Sequence, residues 1–221
     1  MIHTKKRLNN WYNRLSSHFG PQHWWPGETP FEVMVGAVLT QNTAWTNVEK
    51  AIANIKKQGV MTPRALSRMP LNRLARCIQP SGFFNVKARR LKSLLIFLET
   101  TCHYDLSRLR TRDVAQLRAD LLSVHGIGPE TADAILLYAC EKPVFVIDAY
   151  TKRICSRHGI CAPDVDYHTL QSLIMDNSER AVSRYNEYHA LLVACAKKFC
   201  KTKPHCNGCP LHNDKIRYEK N

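Results

Sequence analysis

Acid is scarce in this chain beside base. Eighteen Asp and Glu stand against 32 Lys and Arg, a formal charge of +14 at pH 7 with a pI near 9.5. That surplus excludes an acidic solvating tail and points to a polyanionic partner, of which nucleic acid is the commonest; the alternative is a basic surface with no partner. The charge is spread along the chain and not packed into one end, which favours a folded basic face over a disordered arm. Long apolar runs are missing too, none approaching the roughly 18 residues a membrane span needs. The stretch MIHTKKRLNNWYNRL has basic residues but no apolar centre or small-residue cleavage site, so no export signal is expected in it. The expectation is a cytoplasmic, nucleoid-associated monomer with no membrane partner. Repeats and low-complexity segments are absent, yet 44% of the 221 residues are apolar, enough for one large domain or two small ones sharing a core.

Strand patterns are scarce as well. Leu8, Trp11, Tyr12, Leu15 and Phe19 recur at helical spacing, and Gly20-Pro21 ends the stripe. TPFE at 29–32 reads as a capping box with Pro30 in the first turn of an apolar helix ending at Leu39. Val48, Ala51, Ile52 and Ile55 mark the next helix, and a short one follows Thr62-Pro63. Leu91, Leu94, Leu95 and Leu98 ride on a basic helix from Asn85; further helices are expected at 111–122, at 129–140, and near Ala149, Tyr167 and Asn186. KPVFVID at 142–148 is the one strand-like run, too isolated to found a sheet, and is expected as buried extended chain. The class is all-α.

HGIGPETADAI at 125–135 interrupts this pattern. Gly126 and Gly128 permit backbone angles that side chains forbid and let a partner approach the main chain. Pro129 opens a helix whose first N–H groups lack internal acceptors and carry partial positive charge. Preceded by a short helix, the segment reads as a helix–hairpin–helix gripping a DNA phosphate through Gly126, Ile127, Gly128 and Glu130; a plain tight connection between packed helices is the alternative. Asp148, closing VFVID before AYTKRI, suits an N-cap, and it is also placed to face a nucleotide extruded from a duplex.

LLSVHGIGPETADAILLYACEKPVFVIDAYTKRI resembles the helix–hairpin–helix–Gly/Pro–Asp superfamily of DNA glycosylases, which includes endonuclease III and adenine glycosylase. LTQNTAWTNVEKAI, PSGFFNVKARRLK and YNEYHALLVACAKKFCKTKPHCNGC extend the likeness over nearly the whole chain. The first two, with WWP at 24–26, look most like the 3-methyladenine DNA glycosylase III branch. The resemblance implies a two-lobed fold: a six-helix lobe at 28–141 with the hairpin, a second lobe from 1–27 and 142–199, and a Cys-rich loop at 200–214, with double-stranded DNA carrying damaged bases held across the cleft. It makes Asp148 catalytic, stabilising the positive charge that develops on deoxyribose. Members that also cut the strand carry a lysine two residues past the second hairpin glycine, and its amine attacks C1′ to form a Schiff base. Glu130 stands there and cannot form an imine, which implies base excision alone; Lys152 is the alternative amine.

Trp24, Trp25, Pro26 and Trp45 are implied to border a base pocket, where an N-alkylated, positively charged purine would gain from stacking and cation–π attraction; core packing is the competing role. Gln41 is implied as a wedge filling the vacated stack, with Asn42 beside it as a DNA contact or helix cap. In the C-terminal loop the family often holds a [4Fe–4S] cluster on four cysteines. Here Cys200, Cys206 and Cys209 are present, but the fourth place falls on Lys215. His212 is the expected replacement, with Cys195 and His205 behind it, and an iron–sulfur cluster, zinc or no metal stay open. Lys197, Lys198, Lys201 and Lys203 suit phosphate contacts. Competing functions are an endonuclease III-type glycosylase and lyase acting on oxidised pyrimidines, and a non-catalytic DNA-binding protein.

Overall fold

The computed structural model describes residues 2–24 and 27–214 (side chains from residue 4), and among them helices account for the regular structure and no strand occurs. These residues divide into two compact units, one built from 2–24 with 143–214 and the other from 27–142. None of their helices is long and apolar enough to cross a membrane.

The 27–142 unit is organised around α2 (Pro30–Leu39), where every residue after the proline is buried. A helix apolar on all sides belongs at the centre of a core. Thr29 caps it, its hydroxyl accepting from the Glu32 N–H at 3.1 Å, so the threonine half of the capping box forms. The Glu32 carboxylate instead pairs with Lys56 at 2.8 Å. Around α2 pack α3 (Trp45–Lys57) and α6 (Phe84–Cys102). α4 (Pro63–Arg68) and α5 (Leu71–Cys77) lean on α6. α5 was not anticipated: LNRLARC is about two helical turns, below what periodicity resolves. The same holds for α7 (Ser107–Thr111). α8 (Val114–Ser123) starts at Asp113, whose carboxylate accepts from the Gln116 N–H at 2.9 Å.

Two cations, one of them buried, fasten this unit. Lys87 is 1% exposed, and its ammonium donates to the Leu39 carbonyl at 2.8 Å and the Ser81 carbonyl at 2.7 Å. It thereby joins the end of α2 to the turn before α6. Burial, with Arg90 nearby, pulls its pKa down to about 8. Lys92 does the same for the end of α4, donating to the carbonyls of Leu66, Ser67 and Met69.

After α8 the chain turns into α9 (Pro129–Ala134), which continues as a π-helical turn over Ile135–Ala139. The single helix expected at 129–140 is thus continuous but changes its hydrogen-bond pattern midway. Arg118 on α8 bonds both carboxylate oxygens of Asp133 on α9, at 2.7 and 3.0 Å, and Asp133 has no exposed surface.

In the other unit, α12 (Val182–Lys198) lies against α1 (Ile2–Phe19) and α10 (Ala149–Arg157), and α11 (Tyr167–Asp176) precedes it. Phe145 meets the rings of Tyr185 and Tyr188 at 5.4 and 5.9 Å. Residues 142–148 are extended and Val144–Ile147 buried. With no sheet to join, their polar groups turn to side chains: Gln171 donates to the Phe145 carbonyl at 2.7 Å, and the Ile147 N–H reaches the Tyr167 hydroxyl at 3.3 Å. That is how a lone extended segment satisfies its backbone inside a helical core.

Removing the arginine of the α8–α9 pair strands a buried carboxylate. Arg118→Ala is expected to lower unfolding stability by about 3 kcal/mol, measured by denaturant titration.

Candidate functional site

The turn between α8 and α9 is built on one glycine more than the other. Gly126 has φ +83°, a region side chains avoid, and a Cβ there would collide with the Arg90 side chain. Gly128 has φ −92° and ψ 177°, which any residue adopts, and open space where its Cβ would be. Only Gly126 therefore needs glycine for its backbone angle. At Gly128 the missing side chain leaves the main chain uncovered.

Ile127 is buried and its N–H donates to the Val124 carbonyl at 3.0 Å, so this residue anchors the turn. By position the first N–H groups of α9 lack intrahelical acceptors, the first bond of that series running from the Ala132 N–H to the Gly128 carbonyl. Glu130 is exposed in the first turn.

Gln41 belongs to this hairpin. Its amide nitrogen donates to the Gly126 carbonyl at 3.1 Å and the Thr131 hydroxyl at 2.9 Å, and its carbonyl oxygen accepts from Arg90. Bonded on both ends, it holds the hairpin instead of projecting from it. Asn42, next along, is exposed with φ +54°. It is the residue of the pair that points outward.

Phe83 shares these properties and was missed from sequence. It is 69% exposed, with φ +45° at the N-cap of α6. A bulky residue in the left-handed region costs strain that packing usually repays, and here no burial repays it. Lys87 binds the carbonyls of both Leu39 and Ser81, so the Asn42 and Phe83 loops are tied to one ammonium. The signal lay in SGFFN: the glycine before two phenylalanines marks a turn, but not which ring is outside.

In the other unit, Asp148 is the N-cap of α10, its Oδ1 accepting the Thr151 N–H at 2.7 Å. Oδ2 faces Nε2 of His189 on α12 at 3.5 Å, the two side chains being 13% and 6% exposed. Burial pushes the carboxyl up, but the His189 charge and hydrogen bond and the Thr151 N–H outweigh it, leaving Asp148 below the usual carboxylate range. The Trp24 ring lies edge-on to His189 with centroids 6.3 Å apart, and Lys197 sits 5.7 Å from the Trp24 ring centre. Asp148, His189 and Trp24 are thus brought together within one unit. Trp45 begins α3, and Trp25 and Pro26 lie outside the described residues.

The expected metal ligands do not assemble. Among the described residues no group of three or more His, Cys, Asp or Glu is disposed to hold a metal ion. Cys200 is buried and its Sγ accepts from Arg157 at 3.3 Å. A hydrogen bond with Cys209, together with burial, pushes the Cys195 thiol up. His212 is exposed, and Lys215 lies outside the described residues. Of the set Cys200, Cys206, Cys209 and His212, Cys200 meets Arg157 and Cys209 meets Cys195, the thiol named as an alternative ligand.

Protein–protein bonds hold the loop. Arg157 donates to the carbonyls of Lys201 and Thr202 at 2.6 and 2.8 Å, and Arg153 to that of Cys200 at 2.7 Å. Asp214 pairs with buried Arg7 at 2.9 Å.

Compared with known proteins, residues 35–180 match the model of the HhH-GPD superfamily base excision DNA repair proteins. A protein of Methanocaldococcus jannaschii whose name places it among the DNA repair glycosylases is 43% identical over 201 residues, 90% of this chain and 91% of that one. Endonuclease III of Sulfolobus acidocaldarius is 28% identical over 83% of this chain and 80% of its own. In structure, the H. pylori 3-methyladenine DNA glycosylase bound to 1,N6-ethenoadenine superposes with a TM-score of 0.75 at 29% identity, covering 88% of this chain and 97% of that one. An endonuclease III in complex with DNA gives 0.80 at 22% identity, covering 95% and 94%, a likeness of fold.

Phosphate binding at the hairpin predicts opposite outcomes for two alanines. Gly126→Ala is expected to destabilise the protein by about 1–2 kcal/mol through its positive φ and to weaken duplex binding with it. Gly128→Ala is expected to leave the melting temperature unchanged while weakening duplex binding several-fold, read by fluorescence anisotropy at fixed salt.

Proposed function

The chain belongs to the HhH-GPD superfamily of base excision DNA repair proteins, and on that footing we propose that it is a monofunctional DNA glycosylase acting on a damaged base, an N-alkylated purine best of all. Its partner is double-stranded DNA. The hairpin's main-chain N–H groups take a phosphate, supplying affinity and register without base preference. Asn42 and Phe83, exposed from loops tied to Lys87, are suited to enter the base stack as a nucleotide leaves it.

The reaction is hydrolysis. The C1′–N bond breaks with its electron pair going to the base, and positive charge builds on the sugar ring. The Asp148 carboxylate stabilises that charge, a water oxygen bonds to C1′, and its proton is lost to Asp148 or to solvent. An abasic site and a free base are the products. N-alkylation makes the purine cationic and a good leaving group, so one carboxylate suffices. The Trp24 face, which already receives the Lys197 ammonium, suits a cationic base. The observation that carries the reading is the charged, nearly dry Asp148 beside Trp24 and His189.

Strand cleavage is left out because Glu130 occupies the position where lyase members carry an amine. The named activity of the endonuclease III relatives keeps a second reading in play, and trapping decides it. Borohydride added during turnover is expected to give no covalent protein–DNA adduct, and an adduct would reinstate the lyase. Asp148→Asn is expected to lower single-turnover base release by about 10²-fold or more with duplex affinity kept. Undiminished release would reduce Asp148 to a helix cap.

A further inference from the structure

Asp148 has two oxygens with different occupations. Oδ1 is fixed by the Thr151 N–H at 2.7 Å. Oδ2 is the oxygen left for chemistry, and the one side chain the structure sets against it is His189, 3.5 Å away on a different helix. His189 is 5% exposed and framed by the rings of Trp24 and Phe145 at 6.3 and 6.4 Å, so its imidazole has little room to turn. We propose that His189 is a positioning residue, holding the Asp148 carboxylate ionised and its Oδ2 turned toward the reacting sugar. This rests on the reading of Asp148 as the catalytic acid.

The physical reason is the cost of a charge with little water around it. Burial alone drives a carboxyl upward by several units and would leave it neutral near pH 7. A neutral carboxyl cannot oppose the charge that forms on the sugar. Thr151 supplies one hydrogen bond, from the first turn of α10; His189 supplies the second compensation, from α12. The Lys197 ammonium stands by the Trp24 ring that frames His189; the neutral groups are Cys155 on α10 and, beyond it, Tyr188 on α12. Burial pushes both upward, so both stay neutral. His189 is the partner able to carry charge.

The sign follows. With His189 in place the Asp148 carboxyl lies below its ordinary range and stays ionised as pH falls through 6. Without it burial prevails, the carboxyl titrates at higher pH, and function is lost at the acid end first.

The test uses binding, so it does not depend on which base is excised. Affinity is measured for a duplex with a pyrrolidine abasic nucleotide, a cation resembling the charged sugar, and for one with neutral tetrahydrofuran in its place. The wild type is expected to prefer pyrrolidine by about 10²-fold across pH 6–8. His189→Gln and His189→Ala are expected to bind tetrahydrofuran duplex as the wild type does. Their preference for pyrrolidine should fall by about tenfold at pH 6, one pKa unit of lost ionisation, and recover toward pH 8.

An unchanged preference and pH profile in both variants, or a loss parallel to tetrahydrofuran affinity and melting temperature, overturns the proposal. Asp148→Asn separates the two claims. If it keeps the preference, the catalytic reading fails; if it loses it while the His189 variants do not, only the role of His189 fails.

Discussion

A carboxylate with little water around it is stable as an anion only if neighbours replace the water, and at Asp148 each oxygen has its own neighbour. The Thr151 N–H holds Oδ1 and His189 faces Oδ2. Helix capping and catalysis are therefore compatible uses of one side chain. The cap fixes the rotamer, and the fixed rotamer presents the second oxygen. The extended run 142–148, its backbone satisfied by Gln171 and Tyr167, delivers the residue to the start of α10 without a sheet. Preorganisation of this kind lets a single charge contribute strongly to a transition state, since nothing must reorient when the bond breaks.

Positive charge does two jobs in this protein. The surplus of +14 suggests a phosphate-binding surface, but several cations are internal fasteners. Lys87 and Lys92 end helices by bonding their last carbonyls, Arg118 locks α8 to α9, Arg90 crosses the hairpin to Gln41, and Arg7 and Arg157 secure the C-terminal loop. The charge left for a partner is smaller than the formal count. That loop is also held by arginine-to-carbonyl bonds and the Asp214 pair.

Much of the architecture was legible because helices advertise themselves. Thr29 and Pro30, Thr62 and Pro63, and Asp148 with its following turn are local signals, and each begins a helix where expected. The family was legible from HGIGPETADAI and VFVID. What escaped was set by contacts distant in the chain. Nothing near Gln41 announces a bond to Gly126, so its bracing of the hairpin was not legible. Nothing in NEYHALL pairs His189 with Asp148. Phe83 was not singled out and is outside. The thiols of Cys195 and Cys209 lie close because a helix end and a loop converge, a pairing that spacing alone does not show.

The central claim, a hydrolytic base excision carried by an acid with no amine at the hairpin, is tested most directly by following end-labelled duplexes bearing single lesions, each sampled with and without alkali. The account predicts that an alkylated purine is lost and that breaks are seen after alkali alone. Breaks of equal yield without alkali would contradict it.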